Sequence, residues 1–123
     1  VEIITTDVGI REMSSLFSAL ADPTRLNIVM FLYRRDRATV QEIAKSLLKS
    51  QSLISHHLSC LKNCGVVNYQ RDGRFVYYYL NGDGIRKIVE IALRHVADYG
   101  RSIMSCDIIN ESTNSQPTGQ EFP

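Results

Sequence analysis

Thr39 to Gly65 reads TVQEIAKSLLKSQSLISHHLSCLKNCG. Thr39-x-x-Glu42 is a capping box set ahead of Val40, Ile43, Ala44 and Leu47, which predicts a short helix. Lys49-Ser50-Gln51 is a brief polar connection, and Ser50 is placed to cap a second helix that continues to about Asn63 and stops near Gly65. Two short helices joined by a tight turn form a helix-turn-helix signature. In the second helix Ile54, Leu58 and Leu61 point inward, while Ser52, Ser55, His56 and Ser59 fall on a different, polar side. Hydroxyls and an imidazole can hydrogen-bond to base edges in a major groove, and Gln51 at the amino-terminal end suits adenine. A polar helix side is ordinarily just solvated. What favours double-stranded DNA here is the company of Lys45, Lys49 and Lys62.

The flanking sequence completes a winged fold. Val66–Arg71 and Arg74–Leu80 are β-rich runs separated by Asp72-Gly73, a dipeptide suited to a two-residue hairpin turn. Arg71 and Arg74 on this wing can meet phosphates or a minor groove. Upstream, Ile10, Met13, Leu16, Phe17 and Leu20 stripe a helix over about Gly9–Ala21. Asp22 then caps a helix that has Pro23 at its first position and runs to about Tyr33, followed by the basic loop Arg34–Ala38. A last helix, about Gly84–Gly100, repeats Ile85, Ile88, Val89, Ala92, Leu93 and Val96 on one side. The fold class expected is mainly α with a β-hairpin, a winged helix-turn-helix with extra terminal helices. Those helices carry more apolar surface than the minimal fold needs, which predicts a homodimer. Residues 1–102 read as the DNA-binding and dimerisation domain, and 103–123 as a flexible tail rich in Ser, Thr, Asn, Gln and Pro from Ser105.

Composition bounds the rest. The 123 residues, 44% of them apolar, suffice for one core, and the net charge of +1 by itself says nothing about a polyanionic partner. The distribution is more telling: between Arg34 and Arg74 eight basic residues face three acidic ones, so a basic middle sits in an otherwise acidic chain. No apolar run approaches the roughly 20 residues that span a bilayer, and no secretory leader is evident, so a cytoplasmic protein without membrane contact is expected. No nucleophile, base and orienting group assemble at a recognisable spacing, which argues against an enzyme.

Cys60 and Cys64 lie four apart on the second helix of the motif, so their side chains project within about 40° of each other on neighbouring turns. Both thiols can reach one ion, whereas a disulfide between them would strain the helix. Cys106, the remaining cysteine, stands at the start of the tail and could close such a site. Read alone, such a pair is more often two small buried side chains of a core than a metal site. As ligands, three thiolates suit a soft ion better than Mg²⁺ or Ca²⁺.

Leu20-Ala21-Asp22-Pro23-Thr24-Arg25, Ser55 to Leu61, Cys64-Gly65-Val66-Val67 and the Asp72-Gly73-Arg74 wing together resemble the ArsR/SmtB metal-sensing repressors over about residues 10–100. His57 to Gly65, His-Leu-Ser-Cys-Leu-x-x-Cys-Gly, is most similar to the cadmium- and lead-sensing CmtR branch. The resemblance implies a dimeric winged-helix repressor that leaves operator DNA when Cd²⁺ or Pb²⁺ is bound by Cys60, Cys64 and Cys106, with As(III) and Zn²⁺ as alternative effectors and no organic cofactor. The Cys-x-Cys pair that other members carry is missing from Val40–Leu48. Asp83, His95 and Asp98 echo the family's zinc site, but Ile85 replaces its first histidine, so that site reads as absent or degraded.

The expected DNA-contacting set is Lys49, Gln51, Ser52, Ser55, His56, Ser59, Arg71 and Arg74. Two rival readings stand beside the metal-released repressor: a thiol redox regulator in which Cys106 meets a helix thiol on oxidation, and a small metal-buffering or interaction module without an operator.

Overall fold

The structure is a computed structural model that describes residues 7–109. Its elements run α1 (Asp7–Ala21), α2 (Pro23–Arg35), α3 (Val40–Leu47), α4 (Gln51–Asn63), β1 (Val67–Asp72), β2 (Phe75–Leu80) and α5 (Asp83–Met104). They fall into two units divided within α5, after Arg86.

The first unit is a helical layer carrying an antiparallel hairpin. α2 is its hub, packing on α1, α3, α4 and β2. Asp22 accepts the Arg25 amide at 2.9 Å and Pro23 occupies the first turn, so α2 starts where the sequence predicts. It ends half a turn later than expected, with Arg34 and Arg35 in the last turn, where cations complement the carbonyl end of the helix. The core is formed by Ile28, Val29 and Leu32 of α2, Ile43 of α3, Ile54, Leu58 and Leu61 of α4, and Val66 and Val67, all essentially free of solvent. Three of these are the apolar positions predicted for the second helix of the motif.

The capping box of α3 is complete: the Glu42 amide donates to Thr39 Oγ1 at 3.2 Å and the Thr39 amide to Glu42 Oε1 at 3.0 Å. The Thr39 amide is the main reason the Glu42 carboxyl lies below the ordinary carboxylate range; burial opposes it, and the Thr39 hydroxyl and Arg35, 2.7 Å away, assist it. α4 closes on Gly65, whose φ is +75°. The Val66 amide donates to Leu61 O at 2.9 Å and the Gly65 amide to Lys62 O at 3.0 Å, a Schellman closure with buried Leu61 and Val66 as its apolar pair. Val66 thereby belongs to the cap, and the strand begins one residue later than predicted.

The turn of the motif is less comfortable. Leu48 stands in the left-handed region at φ 57°, ψ 45°, and is 89% exposed. A branched side chain there costs about 1–2 kcal/mol, part of which the greater freedom of an unfolded glycine would cancel. Leu48→Gly is therefore expected to stabilise the fold by about 0.5–1 kcal/mol, read as a higher urea midpoint at fixed protein concentration. An unchanged or lower midpoint would show that the turn carries no strain.

The hairpin corrects one detail of the sequence reading. Asp72 pairs with Phe75, so the two loop residues are Gly73 and Arg74 rather than Asp72 and Gly73. Gly73 takes the positive φ, +64°, while Arg74 does not, a pattern that suits glycine at the first central position. Arg74 is thereby the tip of the wing. Ala38 adds a bridge to Tyr78 through two backbone hydrogen bonds of 2.9 and 2.7 Å.

In the second unit α5 continues to Met104, past the expected end at Gly100 and the expected tail boundary at 102/103. Gly100 sits inside the helix, and residues 107–109 are again helical. The rest of the predicted tail, 110–123, lies outside the described residues. Along α5 Ile85 and Val89 are buried, whereas Ile91, Leu93, Val96 and Tyr99 are 45–64% exposed. On α1, Ile10, Met13 and Phe17 are likewise 50–58% exposed. Both terminal helices thus carry apolar surface that a folded protomer leaves in water.

Candidate nucleic-acid interface and thiol pair

Inward pointing of Ile54, Leu58 and Leu61 fixes the rotation of α4. Gln51, Ser52, Ser55, His56 and Ser59 are consequently all exposed, as are Lys49, Arg71 and Arg74. Ser50 anchors the start of the helix by accepting the Leu53 amide at 3.1 Å. A groove of about 290 Å³ is lined by Thr39, Val40, Gln41, Gln51, Arg74, Phe75 and Val76. It brings Gln51 at the head of α4 to Arg74 at the tip of the wing, two members of the predicted set from opposite sides of the motif.

Side chains around this surface are held by aromatic rings. The Arg74 guanidinium lies 5.2 Å from the Phe75 ring centroid and Lys62 Nζ lies 5.0 Å from that of Tyr69. Lys62, expected only to flank the motif, thus also ties α4 to β1. His57 is half-buried, and its Nδ1 lies 3.4 Å from the Arg25 guanidinium. The same guanidinium donates to Ala19 O at 2.7 Å and Ser18 O at 3.4 Å, so Arg25 joins α1, α2 and α4. Sequence reasoning quoted Arg25 within a motif without assigning it this part. A charged residue just inside a helix capped by Asp22 is a weak signal, because its partners are six to thirty-two positions away.

All three cysteines are free thiols: Cys60 and Cys106 are half-buried and Cys64 is exposed. Partial burial is the main influence raising the Cys64 pKa; the neighbouring Cys60, by its charge and by a side-chain hydrogen bond, raises it further, and the Arg25 cation pulls it down. The Cys64 amide donates to Cys60 O at 3.1 Å, so the helical four-residue relation that sets the two side chains on neighbouring turns of one flank holds to the end of α4. Cys64 also lines a concavity of about 540 Å³ with Arg11, Glu12, Ser15, Leu16 and Asn63. Cys106 follows the last turn of α5, its amide donating to Ile103 O at 3.2 Å. Among the described residues of one protomer, no three His, Cys, Asp or Glu side chains gather at a single point. In the echo of the zinc site, the His95 ring stacks on Tyr99 at 4.7 Å.

The sequence profile described as "Bacterial regulatory protein, arsR family" matches residues 22–69. A cadmium resistance transcriptional regulatory protein CadC homolog of Staphylococcus aureus is 34% identical over 84 residues, 68% of this chain and 69% of that protein. The chain belongs to the arsR family. A probable mercury resistance operon repressor of Streptomyces lividans is 36% identical over 90 residues, 73% of this chain and 71% of the relative. Among solved structures, a homodimeric winged helix-turn-helix DNA-binding domain from Mycobacterium bovis, described as a possible ArsR-family regulator, superposes with a TM-score of 0.68. Its identity is 25%, covering 78% of this chain and 90% of that one. Family and fold are those of DNA-binding transcription regulators, not of enzymes. The arsR match begins at the α2 cap and ends in β1, taking in α4 with Cys60 and Cys64 and stopping well short of Cys106. Among the described residues no helix is long and apolar enough to cross a membrane.

Proposed function

We propose that this arsR-family regulator is a homodimeric repressor that holds double-stranded operator DNA with α4 and the wing. Its effector is a thiophilic ion, Cd²⁺ or Pb²⁺, taken by Cys60, Cys64 and Cys106, and binding releases the DNA. The observation that carries the reading is the placement of two cysteines one helical turn apart on the helix whose exposed polar side would read the groove. An ion gripped there pulls on the reading element itself.

The donor set fits a soft ion and falls one short of closing a site. The pair supplies two thiolates, and Cys106 would supply the third from its own protomer or from the second copy. Both routes link metal loading to the placement of α4. The exposed apolar residues of α1 and α5 supply the surface of a dimer, and the similar Mycobacterium bovis domain is homodimeric. Cadmium and mercury resistance regulators among the relatives favour a soft effector, and the His57–Gly65 pattern favours the CmtR-like arrangement within the family.

The test is an anaerobic titration of Cd²⁺ into the protein bound to a labelled duplex that the parent has selected from a random-sequence pool. Thiolate-to-metal absorbance and duplex anisotropy are followed together. Loading is expected to weaken DNA binding about 5- to 150-fold, and DNA must weaken Cd²⁺ binding by the same factor. Saturating absorbance with undiminished anisotropy would remove the metal-release reading. A Cys106→Ser variant with parental Cd²⁺ affinity would remove the third ligand.

A further inference from the structure

Arg37 belongs to the basic loop between α2 and α3, and an exposed arginine there is ordinarily assigned to phosphate. Its surroundings indicate a different task. The guanidinium lies over the Tyr77 ring, 4.0 Å from the centroid, and Nη1 is 3.5 Å from Asp72 Oδ2. Strand register puts Gln70 opposite Tyr77 and Asp72 opposite Phe75, so Asp72, Phe75 and Tyr77 share one face of the hairpin. On that face the Phe75 and Tyr77 rings are 6.2 Å apart, and Arg74 lies over Phe75 at 5.2 Å. A continuous series of contacts therefore runs from Arg37 through Tyr77 and Phe75 to Arg74 at the tip.

A two-stranded hairpin is marginal by itself in water, and the direction in which its tip points is set by whatever it leans on. The neighbouring residue, Ala38, already pairs with Tyr78 through the backbone, which fixes the strand but not the face of the ribbon. Arg37 adds the side-chain hold on both strands of that face.

We propose that Arg37 is a positioning residue of the wing: stacked on Tyr77 and paired with Asp72, it aims Arg74 at DNA and makes no phosphate contact of its own. This rests on the DNA-binding reading of α4 and the wing. Its charge is already engaged by a carboxylate and a ring face, and turning to a phosphate would break both.

The two roles separate in the salt dependence of binding. Each phosphate contact contributes about 0.9 to the slope of log affinity against log salt, so a phosphate-bound Arg37 lowers it only when Arg37 itself is removed, whereas a brace acts through Arg74 and so changes it equally when Tyr77 is removed. The proteins are the parent, Arg37→Ala, Tyr77→Leu, Tyr77→Phe and the Arg37→Ala/Tyr77→Leu double variant, with a duplex selected by the parent from a random pool as probe. Arg37→Ala and Tyr77→Leu are each expected to weaken binding about 3- to 10-fold, with the same slope as each other. The double variant should be no weaker than the worse single, and Tyr77→Phe, which keeps the ring, should bind like the parent. In the free protein, the Tyr78 amide should exchange hydrogen faster in the two weakened variants.

A shallower slope for Arg37→Ala with parental binding by Tyr77→Leu would overturn the proposal in favour of a phosphate contact. Additive losses, or no loss in either single variant, would overturn it too while leaving the DNA reading intact. A parent that selects no duplex overturns the DNA reading and this proposal with it.

Discussion

Cys64→Ser is expected to weaken Cd²⁺ binding at least about 100-fold while leaving the ion-free protein's DNA affinity and stability close to those of the parent. Loss of a mere outer-sphere support typically costs 10- to 100-fold in metal affinity, and losing one of three thiolates to a hydroxyl removes a direct soft ligand. Cys64 is exposed, so replacing sulfur by oxygen disturbs little packing, and surface changes of this kind stay within about 0.5 kcal/mol. Cys60→Ser should lower affinity to a similar degree with a somewhat larger stability loss, because Cys60 is half-buried. Both are measured by competition against a chelator of known affinity, with anisotropy on the selected duplex as the control. If either serine variant kept parental Cd²⁺ affinity, the helix pair would not be the site. Mild peroxide treatment followed by mass analysis addresses the redox rival, which requires a specific Cys106 disulfide that metal sensing does not.

The parts of the fold that were legible beforehand are those written in short-range chemistry. The Thr39/Glu42 box, the Asp22-Pro23 start and the Ser50 cap each rest on residues three apart, and each stands where it was placed. The rotation of α4 followed from the spacing of Ile54, Leu58 and Leu61 alone, and with it the exposed side. Errors arose where two local rules compete. Asp72-Gly73 is a good hairpin dipeptide, but a turn needing positive φ only at its first position places Gly73 first and moves the loop on by one residue. Gly100 reads as a stop, yet α5 runs through it, because a glycine lowers helix propensity by only about 1 kcal/mol and other residues of α5 offset it. The contacts of Arg25 and Arg37 were not legible at all, since their partners meet them only once α1, α4 and the hairpin have packed.

Arg25→Ala is expected to cost about 2–3 kcal/mol of folding stability, although Arg25 is only half-buried and belongs to no apolar cluster. Its guanidinium holds Ala19 O at 2.7 Å and Ser18 O at 3.4 Å, in the last turn of α1, where unsatisfied carbonyls concentrate negative charge. A charge-assisted hydrogen bond as short as the first is worth about 1.5–3 kcal/mol, and the longer contacts add less. The guanidinium also lies 3.4 Å from His57 Nδ1 on α4. Lysine keeps the charge but not the fork that spans two helices, so Arg25→Lys should recover less than half of the loss. Urea unfolding at a fixed protein concentration measures each step; a loss under 0.5 kcal/mol for Arg25→Ala would show that the α1 carbonyls are equally well served by water. The same substitution has a second readout on α4. The Arg25 cation pulls the Cys64 pKa down against burial and the Cys60 thiol, so removing it should raise that pKa and slow alkylation of Cys64 by iodoacetamide at neutral pH. A destabilised fold by itself would relieve the partial burial that raises the Cys64 pKa and speed the reaction, so a slower rate in a less stable protein identifies the electrostatic effect and ties the joint of three helices to the chemistry of the thiol pair.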